Sequence, residues 1–201
     1  MSERLSVNGF MMEDAMLSAL VSADSVVDES IMFSSETFAQ RGIKEIGKLE
    51  FHIEIFDTDT YDDIDKSDLL TLTLSEDYVV EVDYTGQELY NDNDIRIIYK
   101  GLDMDTSMNG LVYFLVENNS GKDISIWGRD VTINGIMDED SFWIHARENT
   151  LAVGTLYLWE IGDYEIESVD QIETINLEFL VMEFDTMDDI ASVPVNIEIN
   201  P

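Results

Sequence analysis

Two stretches of this chain are repeated in the same order, and that repeat restricts the fold more than any other feature. Residues 4–14 (RLSVNGFMMED) parallel residues 130–140 (DVTINGIMDED), and residues 48–58 (KLEFHIEIFDT) parallel residues 176–186 (NLEFLVMEFDT). The spacing between the two landmarks differs by about two residues, which a loop insertion accounts for. Ordered self-similarity of this kind means that one supersecondary unit is used twice. The second copy runs from about Asp92 to Asn200, whereas the first opens at a position equivalent to 127–130 and has no counterpart of Ile95 to Ile126. A partial module with its connecting segment is therefore expected over 1–91 and a complete module over 92–201.

Within the second copy, period-two alternation and β-branched or aromatic enrichment predict seven strands, at 95–100, 111–117, 124–133, 136–143, 151–158, 172–184 and 193–199. Asn134-Gly135 is the strongest two-residue hairpin signal, and residues 118–123 (NNSGKD) supply a second turn. Asp103 and Asp105, ahead of Asn109-Gly110, read as a further turn. Ile175, Leu177, Phe179 and Val181 alternate with their neighbours, as do Leu49, Phe51, Ile53 and Ile55, so one face of each strand must pack inward. Helix is confined to one short turn at Ser35 to Arg41, with Ser34 or Ser35 to cap its start and Gly42 to end it. The expected fold class is all-β: tandem immunoglobulin-like antiparallel β-sandwich modules, the first incomplete at its N-terminus. Leu74 to Asn91 reads as a connecting strand or a spacer. A sandwich without its opening strands has unpaired edges and an uncovered apolar face. It closes by borrowing a strand from 74–91, by packing on the second copy, by forming a homodimer, or as part of a longer product.

The 201 residues are 45% hydrophobic, enough apolar material for a packed core, which excludes a disordered chain. Acids number 44 against 10 bases, a net charge of −34, and each side of Asp92 holds 22 acids and 5 bases. A field of that sign repels phosphate backbones and anionic lipid surfaces, so no nucleic-acid partner is expected. No apolar run approaches the roughly 18 residues of a membrane span, so no direct membrane insertion is expected. Residues 1–8 lack the apolar stretch of a secretory signal peptide. Cysteine is absent, which removes disulfides, thiol nucleophiles and Cys-ligated metals.

Candidate ligand residues are few. Asp57, Asp59, Asp62, Asp63, Asp65 and Asp68 follow a strand and are a source of oxygens for calcium, although the EF-hand's central Gly and twelfth-position Glu are missing. The competing reading is a solvated acidic loop. The counterpart in the second copy, Asp185, Asp188 and Asp189, is sparser. No cofactor other than calcium is suggested. Trp127, beside Gly128 and Arg129, is the tryptophan expected to be exposed and able to stack on a sugar, whereas Trp143 and Trp159 are flanked by apolar residues and read as packing. His52, between Glu50 and Glu54, reads as an exposed strand residue, and His145 as a strand-end or loop residue. No nucleophile elbow, phosphate loop or cleft-forming insertion is present, so no catalytic residue is assigned and no enzyme is expected.

The stretch 94–134, with Glu117-Asn118-Asn119-Ser120, Asp130-Val131-Thr132-Ile133-Asn134-Gly135 and the Phe184-Asp185-Thr186 end, resembles immunoglobulin- or fibronectin-like acidic sandwich modules of uncharacterised proteins of Gram-positive gut bacteria, often surface lipoproteins. The resemblance covers the second copy and residues 4–74 of the first. It implies an extracellular or cell-surface location and a structural or adhesion role toward an unknown protein or glycan, and it carries no catalytic or ligand residue. The alternative is a carbohydrate- or calcium-dependent binding module.

Overall fold

The chain is all-β, as the alternation predicts, and a computed structural model describes residues 2–13, 15, 18–104, 110–137, 141–159, 166 and 168–199. The chain divides into two compact units, Met1–Asp83 and Tyr84–Pro201. Of the turn expected at 103–105 ahead of Asn109-Gly110, Asp103 and Met104 end a strand and residues 105–109 lie outside the described residues.

The first unit holds β1 (Ser2–Val7), β2 (Phe10–Met11), α1 (Ser35–Gln40), β3 (Lys48–Phe56), β4 (Asp63–Lys66) and β5 (Leu70–Thr73). β1 pairs antiparallel with both β2 and β3. β4 pairs with the C-terminal part of β3 and β5 with its N-terminal part, so the two act as one interrupted edge strand. α1 is the expected single turn: Ser34 Oγ accepts the Glu36 N–H at 3.2 Å, and Gly42 ends it at φ +66°. After β5 the chain turns back on the β3 entry, where the Leu74 N–H donates to the Gly47 carbonyl at 2.7 Å. The Tyr78 ring lies so close to Gly47 that any Cβ there would collide with it. Residues 74–86 form no strand, so this segment does not close the first unit.

The second unit holds β6 (Gln87–Asp92), β7 (Ile95–Met104), β8 (Gly110–Asn118), β9 (Ile124–Ile133), β10 (Ile136–Met137), β11 (Phe142–Ala146), β12 (Thr150–Leu158), β13 (Thr174–Glu183) and β14 (Asp189–Glu198). One sheet runs β12-β8-β7-β6; the other runs β9-β13-β14, with β10 and β11 both on the outer edge of β9. The sheets pack face to face. Phe114 of β8 stacks on Phe142 at 5.1 Å and meets the Phe179 ring edge-on at 5.5 Å. Phe142 has room because Gly128 lies opposite it: a Cβ at Gly128 would sit 2.0 Å from the ring. Asn118, fully buried, fixes one end, donating to the carbonyls of Lys122, Ala146 and Arg147 at 2.7–3.0 Å while its Oδ1 accepts from Ser120.

Two strand expectations change. The segment read as a connecting strand or a spacer over 74–91 forms a strand only at its end, as β6, whose side chains are mostly exposed. The single strand expected over 136–143 is two, β10 and β11, and residues 138–140 between them lie outside the described residues.

The repeat holds bond for bond. Asn8 and Asn134 sit at φ +51° and +50°, followed by Gly9 and Gly135 at +85° and +83°, as a type I′ turn requires. Asn8 Nδ2 donates to the Glu45 carbonyl at 2.7 Å, and its Oδ1 accepts the Gly47 and Lys48 N–H groups at 2.8 and 2.9 Å. Asn134 does the same with Gln171, Glu173 and Thr174 at 2.9, 2.8 and 3.1 Å. Val7 faces Leu49 as Ile133 faces Ile175, and Phe56 faces Asp63 as Met182 faces Asp189. Every one of these pairs is related by the same shift of 126 residues. The two-residue insertion inferred from the Leu-Glu-Phe matches is therefore absent from the structure. That motif slid two positions along the strand, and a shift of two leaves every side chain on its original face.

Asn134→Ala removes three side-chain hydrogen bonds and places alanine at positive φ, so it is expected to destabilise the second unit by about 2–4 kcal/mol. Asn8→Ala is expected to act likewise on the first unit alone. Urea denaturation followed by site-resolved hydrogen exchange checks both.

Candidate functional site

The predicted acidic loop is a β-hairpin turn. Asp57, Asp59 and Asp62 lie in it, while Asp63 and Asp65 belong to β4. The Asp57 carboxylate caps the turn, accepting the Asp59 and Thr60 N–H groups at 2.8 and 3.0 Å. These bonds, that of Thr60 first, hold its pKa below the ordinary value. The Met187 turn repeats the backbone pattern, since Tyr61 N–H reaches Asp57 O at 2.8 Å and Met187 N–H reaches Glu183 O at 2.9 Å. Among the described residues no group of three or more His, Asp or Glu side chains is arranged to hold a metal ion.

The tryptophans reverse the expectation. Trp143 and Trp159 are exposed, whereas Trp127 is half-buried and its indole N–H is buried without a hydrogen-bond acceptor among the described residues. The reason is position in the sheet. Trp127 lies on β9 between β11 and β13, where Trp143 stacks on it at 5.4 Å and 3° and the Arg129 guanidinium lies 5.1 Å from its ring. Arg129 is held by Glu178 at 2.9 Å. His145 lies within β11, its ring 6.5 Å from Trp143 and edge-on to Phe184. His52 is half-buried, its Nδ1 3.1 Å from the Ser67 carbonyl.

The feature that sequence reasoning did not place residue by residue is the inner face of the first unit. Ile53 and Ile55 occupy the positions of Phe179 and Val181, and Leu70 and Leu72 pair with β3 as Val195 and Ile197 pair with β13. In the second unit none of the four exceeds 7% exposure; in the first the values are 36%, 52%, 37% and 48%. In the second unit the layer over this face includes β8, whose Phe114 meets Phe179.

A second correspondence accompanies it. Ser25 Oγ donates to Ser22 O at 2.6 Å with Asp24 at φ +60°, as Thr150 Oγ1 donates to Arg147 O at 2.7 Å with Asn149 at φ +55°. Residues 22–25 thus repeat the local turn that opens β12 in the second unit. β12 pairs with β8 over its whole length, whereas 25–33 form no strand and expose Val26 and Met32. The signal was present in the sequence as an apolar stretch with no matching motif. Comparison with protein-family models and with curated proteins finds no match to this chain.

At matched ionic strength, calcium is expected to raise the melting temperature no more than magnesium does; a calcium-specific rise abolished by Asp59→Ala would establish a site. The Asp57 cap acts in the opposite pH direction to a histidine. Its folded pKa is lowered, so its stabilisation is full above the ordinary value of 3.8 and is lost as pH falls through the depressed one. Protection of the Asp59 and Thr60 amides is expected to persist at neutral pH and to fall at strongly acid pH, as measured by hydrogen exchange.

Proposed function

We propose that this chain is a non-enzymatic structural or adhesion-type protein of tandem immunoglobulin-like modules, the first incomplete, that contacts another macromolecule at a cell surface. The observation that carries this reading is the exposed row of Ile53, Ile55, Leu70 and Leu72, whose equivalents are core residues in the second unit. Contiguous exposed apolar side chains on a water-soluble surface mark interaction sites. Covering the exposed part of four such side chains is worth roughly 3–5 kcal/mol, a useful fraction of a binding free energy. The surrounding negative charge favours a neutral or basic protein partner over nucleic acid or an anionic membrane.

A second reading, sugar binding, is favoured by the outward Trp143 on the Trp127 stack, with Arg129 and His145 beside it. Its first suspect is Trp143, not Trp127.

The test compares the whole chain with an Ile55→Glu, Leu72→Glu variant. Both sites are already exposed, so melting is expected to change little, while binding of a hydrophobic dye and adhesion to immobilised surface-protein fractions fall together. Equal adhesion by both chains would overturn the reading. Glycan-array signal lost on Trp143→Ala would move the function to the second unit.

A further inference from the structure

We propose that Asn8 is a site of spontaneous deamidation gated by opening of the first unit, and that its modification stops that unit from closing as before.

An asparagine followed by glycine carries the chemistry within itself. The Gly9 backbone nitrogen attacks the Asn8 carboxamide carbon, a new C–N bond closes a five-membered imide, and the Cγ–Nδ2 bond breaks with loss of ammonia. Water then adds to either imide carbonyl and leaves aspartate, or isoaspartate with the main chain rerouted through Cβ. Glycine permits the attack because it has no side chain to obstruct it. Asn134-Gly135 offers the same reaction, and the third such pair, at 109–110, begins outside the described residues.

The folded turns oppose it. In a left-handed turn, with Asn8 at φ +51° and Asn134 at +50°, Cβ points away from the following nitrogen, so ring closure needs that peptide to rotate. The carboxamide is also tied down. Nδ2 of Asn8, the leaving group, donates to the Glu45 carbonyl at 2.7 Å, and Oδ1 holds the Gly47 and Lys48 N–H groups. Reaction therefore requires the turn and its three bonds to open together.

The two sites differ in what keeps them shut. Asn134 sits where β9 meets β13, and Phe179 of β13 is held edge-on by Phe114 and Phe142 at 5.5 and 6.1 Å. Asn8 sits where β1 meets β3, whose Ile53 and Ile55 are exposed. Less apolar area is lost when the first unit opens, so its opening is the easier. Surface access alone gives the reverse order, since Asn134 is exposed and Asn8 is only 6% exposed. Modification then breaks the bracket. Aspartate at this position still accepts from Gly47 and Lys48 but has no donor for the Glu45 carbonyl and sets a carboxylate beside it. Isoaspartate lengthens the main chain inside the turn.

The test incubates the whole chain at mildly alkaline pH, folded or in unfolding urea, and follows each asparagine by peptide mass spectrometry. In urea Asn8 and Asn134 are expected to convert at similar rates. Folding is expected to slow both, with Asn8 converting about tenfold faster than Asn134, the effect of an opening free energy smaller by 1.4 kcal/mol. Rates unchanged by folding would overturn the gate. Equal rates in the folded chain, or faster conversion of Asn134, would overturn the assignment to the first unit. An Asn8→Asp variant is expected to lose hydrogen-exchange protection at Gly47 and Lys48 while keeping it at Glu173 and Thr174; full protection at all four would overturn the structural consequence.

Discussion

A β-sheet with one apolar face is stable in water only when a second layer covers that face, and this requirement organises both units. In the second unit it is met by the contact of Phe114 with Phe142 and Phe179, which joins the two sheets through rings at 5.1 and 5.5 Å. Aromatic rings in stacked and edge-on arrangements add roughly 0.5–1.5 kcal/mol per pair beyond the area they bury. Gly128 and Gly154 belong to the same packing, because a Cβ at either would collide with Phe142 or Ile144. The first unit has the same sheet without the same cover, and the exposure of Ile53, Ile55, Leu70 and Leu72 follows directly.

Asparagine fixes the frame on which that requirement acts. Asn8 and Asn134 each close an Asn-Gly turn and bind the chain entering the next long strand, through one donated and two accepted hydrogen bonds. Only a side chain carrying both donor and acceptor, on a backbone tolerant of positive φ, can do this. The turn sets the register of β1 with β3 and of β9 with β13, and register decides which residues face inward. Open and closed faces in the two units are thus the same face, fixed by the same bracket.

The acidity is carried on the outer surfaces, where it leaves the packing undisturbed. Two of the bases are cross-strand partners, Arg129 with Glu178 and Lys66 with Glu54. Exposed pairs of this kind contribute little to stability. Their effect is to hold side chains over the sheet, and Arg129 is thereby kept above the Trp127 ring.

The amino-acid sequence alone determined the β class, the Asn-Gly hairpins and the short capped helix, because each depends on local backbone preference or on period-two alternation. It misjudged the repeat spacing, since a two-residue slip preserves facing and leaves no trace in the pattern. It also misassigned the tryptophans. Flanking residues do not report whether a strand lies at the centre or the edge of a sheet, and that position covers Trp127 and exposes Trp143. The acidic loop read either as a source of calcium ligands or as a solvated loop, and the fold adds that Asp57 is engaged with its own backbone. Only the tertiary structure decided which apolar residues are core and which are surface. Ile53 and Phe179 sit on strands of the same alternation and register, and they differ solely in whether another strand lies across them.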